Sequence, residues 1–294
     1  KPSDYLIATA KLNIEGYITI DEVKQRIDTY YIQHPPQTNE DRTEEADKVS
    51  ARITEILNEQ TFTFSPAEYI AMHRRLFHDI YKFAGKIRDY NITKQEWVLN
   101  GETVLYGSAE SLKATLEYDL EIEKKFSFKG LSQHEVIEHI AHFISSLWQI
   151  HIFGEGNTRT IAIFLIKYLR TFGFKVNNDL FAEYSWYFRN ALVRANYKNY
   201  TKNIHATNEF LLRFFENLLL NANHILKNRE MHIDFVDPVN DPVKAKNDPV
   251  NEPVKSKILR HLKQNPKAIY SELANKTGFS KATIKRHIQE LKKS

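Results

Sequence analysis

The 294-residue sequence predicts an all-α domain with a small β-hairpin, followed by a short basic helix-turn-helix, with or without a wing. Three observations predict it. Stretches with apolar residues at helical spacing recur from residue 20 to residue 229. The dipeptide Asn100-Gly101 sits alone between two short runs of strand-like alternation. Proline-bearing repeats near residue 240 part an acidic body from a lysine-rich end.

Residues 1–60 read as an N-terminal helical region, with helices over 20–31 and 44–59 and a polar break at His34-Pro35-Pro36-Gln37-Thr38-Asn39. A core domain follows over 61–230. Ser65-Pro66-Ala67-Glu68 supplies a cap, a proline at the first helical position and an acid three residues on, so a helix should start there and run to about residue 84, before Gly85. Segments 94–99 and 102–106 flank Asn100-Gly101, the pair that best accepts the positive φ angles of a two-residue hairpin turn. Such a hairpin is marginal alone and must lie against the helices. Helical spacing resumes over 108–125 and 132–150. The second of these has a wide stripe of Val136, Ile137, Ile140, Phe143, Ile144 and Leu147. Residues 158–172 are apolar almost all round, which predicts a central helix ended by Gly173; helices over 180–197 and 207–229 complete the core.

Over 231–255, Asp237-Pro238-Val239 and its echoes put a proline every few residues, which removes amide donors and forbids helix, so this is a semi-extended linker. Residues 256–294 read as three short helices. Thr277-Gly278-Phe279 is the tight turn of a helix-turn-helix, and Ser280 caps a last helix. That helix exposes Lys281, Lys285, Arg286, Lys292 and Lys293 and turns Ile284, Ile288 and Leu291 inward. Of the net charge of +4, residues 255–294 carry +9, from eleven Lys and Arg against two Glu, which leaves −5 for the body. A basic module on an acidic body points to DNA as a partner of residues 256–294; a lysine-rich solvated surface is the plainer alternative.

Cysteine is absent, which excludes disulfides, thiolate metal sites and a cysteine nucleophile. No apolar run approaches the ~20 residues of a membrane span, and Lys1-Pro2-Ser3-Asp4 has no signal-peptide pattern, so no membrane contact and a cytoplasmic location are expected. A homo-oligomer is left open.

The chemistry concentrates in one loop between two apolar helices, His151-Ile152-Phe153-Gly154-Glu155-Gly156-Asn157-Thr158-Arg159. Amides from Gly156 onward lie at a helix N-terminus, where unsatisfied N–H groups and the helix dipole favour anions. Glu155 is a hard oxygen ligand suited to Mg²⁺ beside phosphate oxygens. Arg159 lies one turn in and can neutralise phosphate, and His151 has the pKa class of a general base. A base, a metal ligand, an anion site and a cation within nine residues form the inventory of phosphoryl or nucleotidyl transfer. His134, His139 and His142 miss the helical zinc pattern, because Glu138 stands where the second histidine must be.

The same loop resembles the motif of the Fic proteins, His-x-Phe-x-(Asp/Glu)-Gly-Asn-(Gly/Lys)-Arg, at His151, Phe153, Glu155, Gly156, Asn157 and Arg159. Gly85-Lys86-Ile87-Arg88 and the hairpin after it resemble the family's flap, and the resemblance spans about residues 60–220. It implies a Fic-fold helical bundle and a protein adenylyltransferase that uses ATP and Mg²⁺. His151 would be the catalytic base and Glu155 the metal ligand, with Phe153 anchoring the loop in the core. Gly154, Gly156, Asn157, Thr158 and Arg159 would bind nucleotide, with Phe188, Arg189 and Asn196 on its adenine side. Gln95, Glu96, Trp97, Val98 and Leu99 would form the flap on which a target protein docks by β-augmentation. Ile152 stands where proline is usual, Thr158 where glycine is, and Ala162 where many members carry a second arginine for the terminal phosphates. The sister Doc kinases carry Lys at position 158, which makes phosphorylation the lesser expectation. Ala10-Lys11-Leu12-Asn13-Ile14-Glu15-Gly16 resembles the family's inhibitory helix, which gives Glu15 a regulatory role. The other reading of the whole chain, favoured by Ala162, is a DNA-binding regulator whose Fic domain is catalytically weak and serves nucleotide sensing or protein contact.

Overall fold

The computed structural model describes residues 2–35 and 42–235 and, beyond these, residues 262, 269, 270, 272, 273 and 288. The helix-turn-helix over 256–294 and most of the linker therefore lie outside the described residues. The chain divides into two compact units, one of residues 1–96 and 101–226, the other of 97–100 and 227–294.

In the first unit the helices are α1 (Asp4–Ile14), α2 (Ile20–Gln33), α3 (Thr43–Asn58), α4 (Pro66–Phe77), α5 (Leu112–Lys125), α6 (Gln133–Ile150), α7 (Asn157–Thr171), α8 (Asp179–Glu183), α9 (Ser185–Ala195) and α10 (Glu209–Leu220). Their starts follow from local chemistry. Thr19 with Glu22 and Ser132 with Glu135 form reciprocal capping boxes for α2 and α6, and Ser65 accepts from the Glu68 N–H at the start of α4. α7 is the centre. Every residue from Thr160 to Leu169 is buried, and α3, α4 and α6 pack round it. Tyr69, Phe153 and Phe164 fill the space between α4 and α7, each worth about 1.5–3 kcal/mol of burial. At the N-terminal end the Asp47 carboxylate is wholly buried, accepting from the Ser3 N–H and hydroxyl and from Tyr31, which ties α1 and α2 to α3. No helix among the described residues is long and apolar enough to cross a membrane.

Four expectations need correcting. The helix expected over 207–229 runs only from Glu209 to Leu220, because Asn221 takes φ +54° and ends it. The helix from Pro66 stops at Phe77, not near residue 84, because His78 leaves helical geometry and Asp79 takes φ +63°. The segment 180–197 is two helices, broken at Tyr184. The hairpin is not formed, and no strand appears among the described residues. Asn100 and Gly101 do take the positive φ values the turn needs, +56° and +87°. What defeats the ladder is Glu96. Its carboxylate is wholly buried on Arg189 and Tyr106, so the chain beyond it coils into a 3₁₀ turn, Trp97–Leu99, that buries Val98 and Leu99. Two backbone bonds survive, Glu96 N–H to the Glu102 carbonyl and Gly101 N–H to the Glu96 carbonyl.

In the second unit, the Ile233 N–H donates to the Val98 carbonyl at 2.9 Å and the Trp97 and His232 rings meet edge to face. Val98 and Leu99 are therefore not an open edge, as the flap expectation required.

Candidate active site

The loop between α6 and α7 is set by backbone geometry that few residues accept. α6 ends on His151 itself, in the left-handed conformation (φ +49°), and α7 begins after Gly156 at φ +82°. A Cβ on Gly156 would also lie 2.5 Å from the Phe77 ring, so glycine is required twice over. Between them, Asn157 clamps the loop: its side chain accepts from the Phe153 N–H (3.0 Å) and donates to the Phe153 carbonyl (2.7 Å). Phe153 is fully buried and stacks at 3.7 Å on His73, the anchoring role the resemblance implied.

Two residues hold this loop from outside, His73, which sequence reasoning passed over, and Arg88, which it named only within the segment resembling the flap. His73 on α4 is wholly buried, accepts from the Gly85 N–H through Nδ1 and donates from Nε2 to the Glu155 carbonyl at 3.0 Å. Arg88, 4% exposed, donates to the carbonyls of His151, Tyr90, Gly107 and Ile150 and so welds the segment after Gly85 to the end of α6. The anchoring role of neither was legible locally, since each works mainly on backbone groups distant in sequence.

A cleft of about 240 Å³ opens over the loop, lined by Lys94, His151, Glu155, Gly156, Asn157, Thr158, Arg159, Ser185, Trp186 and Arg189. His151 is 4% exposed, against the Tyr106 and Trp148 rings, and both its nitrogens lack a hydrogen-bond partner. Burial first, then the charges of Lys94, Arg189 and Arg88, push the imidazole down to about 2, so it is neutral. Glu155 is half-exposed. Burial pulls its carboxyl upward, but Lys94, 3.2 Å away, and the Gly156 N–H outweigh that and leave it below the usual range. α7 opens without a side-chain cap, and Gly156, Asn157, Thr158 and Arg159 at its start line the cleft. Thr158 accepts from the Trp148 indole at 3.0 Å.

Arg159 is not alone. Its guanidinium lies over the Phe77 ring and donates to Glu45 at 2.5 Å and to Tyr81 at 3.2 Å. Glu45, in the first turn of α3, also takes two bonds from Arg42 and one from Tyr81. Burial raises the Glu45 carboxyl, and these bonds more than offset it, so it stays ionised. Glu15, the acid singled out from sequence, is the exposed C-terminal cap of α1. Of the other expected residues, Arg189 lines the cleft but is fixed on Glu96, while Gly154 lies against Tyr90 and Phe83. Phe188 is core, packed on Phe181, Phe214 and Phe215. Asn196 donates to Ser145 and to the Leu192 carbonyl and does not line the cleft.

His73, held at about 4 by burial, and His151 are both neutral in the fold. Unfolded, each takes a proton near its ordinary value of 6.5. The unfolded state then binds more protons, so the stability these groups contribute is whole above pH ~6.5 and is lost as pH falls toward their folded values. Urea midpoints should hold level between pH ~8 and ~7 and decline from ~6.5 to ~5; a midpoint indifferent to pH over that range contradicts the assignment.

The site thus joins a neutral buried imidazole, three cationic side chains and a helix start with no side-chain cap. In comparison with known proteins, residues 63–169 match the Fic/DOC family and residues 252–294 match the winged helix-turn-helix DNA-binding family, so the chain carries a Fic/DOC domain and, at 252–294, a match to a helix-turn-helix. It is 28% identical over 132 residues to the protein adenylyltransferase VbhT of Bartonella schoenbuchensis, a stretch that covers 45% of this chain and 25% of that one. Its fold is similar to the N-terminal Fic domain of a VirB-translocated Bep effector protein from Bartonella quintana, solved with bound ADP, with a TM-score of 0.50, 22% identity and coverage of 63% of this chain and 87% of that one.

Proposed function

We propose that the domain is a protein adenylyltransferase that moves AMP from ATP to a Ser, Thr or Tyr hydroxyl of a target protein. One observation carries the reading: His151 is neutral and buried with both nitrogens unpartnered, and it lines a cleft shared with the start of α7. A histidine kept for packing normally has its nitrogens bonded, as His73 does. A base needs a free lone pair beside the substrate. The Fic/DOC domain and the likeness to VbhT support the same chemistry.

His151 accepts the proton of the target hydroxyl as its oxygen bonds to the α-phosphorus; the bond from that phosphorus to the bridging oxygen breaks and pyrophosphate leaves. The amides at the start of α7 and the Arg159 guanidinium hold phosphate oxygens. Burial first, and then Lys94, Arg189 and Arg88, depress the imidazole; the negative phosphates of a nucleotide offset those charges and so raise it. Among the described residues no cluster of three or more His, Cys, Asp or Glu forms a self-sufficient metal site. One half-exposed carboxylate, Glu155, fits Mg²⁺, which favours one or two carboxylates beside phosphate oxygens and water. Bound there, Mg²⁺ would neutralise phosphate charge in the leaving pyrophosphate. Glu45 competes with those phosphates for Arg159, an autoinhibitory contact within the domain. Gln95 and Leu105, both exposed, are parts of the flap segment that can meet a target.

Incubation with Mg²⁺ and ATP labelled in the α-phosphate, with a cell extract as the source of targets, tests the reading. Label should enter protein; none from either the wild type or Glu45→Ala overturns it. The match of residues 252–294 favours DNA as a second partner. Affinity of the full chain for duplex DNA should fall steeply as salt rises, since each phosphate contact releases counterion; absent or salt-indifferent binding contradicts this.

A further inference from the structure

Ala162 is buried and carries no charge, so the cleft end of α7 offers a nucleotide's phosphate chain one guanidinium, that of Arg159. A triphosphate with one metal ion leaves more negative charge than that residue neutralises. Two further cations line the cleft. Arg189 is held by two bonds to Glu96, a carboxylate with no exposure, and breaking that pair would strand a buried charge. Lys94 is differently placed. It comes from the segment ahead of the 3₁₀ turn, where its N–H donates to the Thr103 hydroxyl at 3.2 Å, and its side chain is 22% exposed. Its ammonium meets Glu155, 3.2 Å away, a carboxylate itself 46% exposed. That partner is the group the adenylyltransferase reading assigns to Mg²⁺.

We infer that Lys94 is a nucleotide-binding residue, the second cation of the phosphate site, and that it does for the outer phosphates what a cation at position 162 would do from α7. The inference rests on the adenylyltransferase reading. In this structure the ammonium holds Glu155. When Glu155 takes Mg²⁺, like charges separate and Lys94 turns to the outer phosphate oxygens, which a compact ammonium with three donors on a flexible stem can follow. The substitution of a lysine from the flap segment for an arginine on the helix also couples nucleotide binding to the segment that meets the target.

Calorimetric titration of ATP and of AMP, each with Mg²⁺, into the wild type, Lys94→Met and Lys94→Arg tests this. A charge-assisted bond of about 1.5–3 kcal/mol corresponds to roughly a tenfold to hundredfold loss. Lys94→Met should therefore weaken ATP by about tenfold or more while AMP, which lacks the outer phosphates, changes by less than about twofold. Lys94→Arg should restore most of the ATP affinity, which a merely structural role in the loop would not predict. Unchanged ATP affinity in Lys94→Met, or an equal loss for AMP and ATP, overturns the inference while leaving the adenylyltransferase reading in place. A wild type that binds neither nucleotide overturns both.

Discussion

Replacing His151 should lower AMP transfer by about 10²–10⁴-fold, the usual contribution of a positioned general base, while nucleotide affinity stays within a few-fold of wild type. The choice of replacement matters. His151 closes α6 in the left-handed region, where alanine is strained and asparagine is tolerated. His151→Asn therefore removes the base with the least backbone cost, and His151→Ala measures what the strain adds. Because neither imidazole nitrogen has a partner in the fold, its loss breaks no hydrogen bond. The melting midpoint of His151→Asn should stay near that of the wild type, and a large drop would mean that the ring is chiefly a packing element between Tyr106 and Trp148. Wild-type transfer rates in His151→Asn would remove the residue from the chemistry.

Glu45→Ala should act in the opposite direction. Glu45 is the only carboxylate among the described residues that bonds to Arg159, and it is shared with Arg42 and Tyr81. Its removal takes the counter-charge from Arg159, which lines the cleft, and a nucleotide's phosphates can supply it instead. ATP affinity should rise by about tenfold, the worth of one charge-assisted bond, and the gain should shrink at high salt. Transfer at limiting ATP should rise with it. Glu15→Gly, run in parallel, separates the two acids: Glu15 lies exposed at the end of α1, and the variant that gains affinity identifies the carboxylate that competes. Unchanged ATP affinity in Glu45→Ala would show that the contact with Arg159 does not compete.

What the sequence made legible was local. The cap at Ser65, the all-round apolarity of α7 and the positive φ of Asn100 and Gly101 are written within a few residues of where they act. The nine-residue loop is of the same kind, and His151, Glu155, Gly156, Asn157, Thr158 and Arg159 do line one cleft. The failures were long-range. Glu45 meets Arg159 across 114 residues of chain and Lys94 meets Glu155 across 61, and neither acid nor lysine stands out from its neighbours. An acid in the first turn of a helix is the ordinary response to the helix dipole, so nothing marks Glu45 beforehand. The hairpin failed for a related reason. Alternation and an Asn-Gly turn describe what the backbone favours, while a buried ion pair between Glu96 and Arg189, 93 residues on, decides what it does. Phe188 and Asn196 sit at spacings that serve packing or ligand equally well; Phe188 is buried against Phe214, while Asn196 is part-buried and bonded to Ser145, away from the residues that line the cleft.

The most direct measurement is a crystal structure of the chain with Mg²⁺ and a non-hydrolysable ATP analogue. The account predicts the α-phosphate beside the free nitrogens of His151, the metal on Glu155, the phosphate oxygens on the amides that open α7, and Arg159 parted from Glu45. A nucleotide seated elsewhere, or one bound with its phosphates turned away from that imidazole, would contradict it.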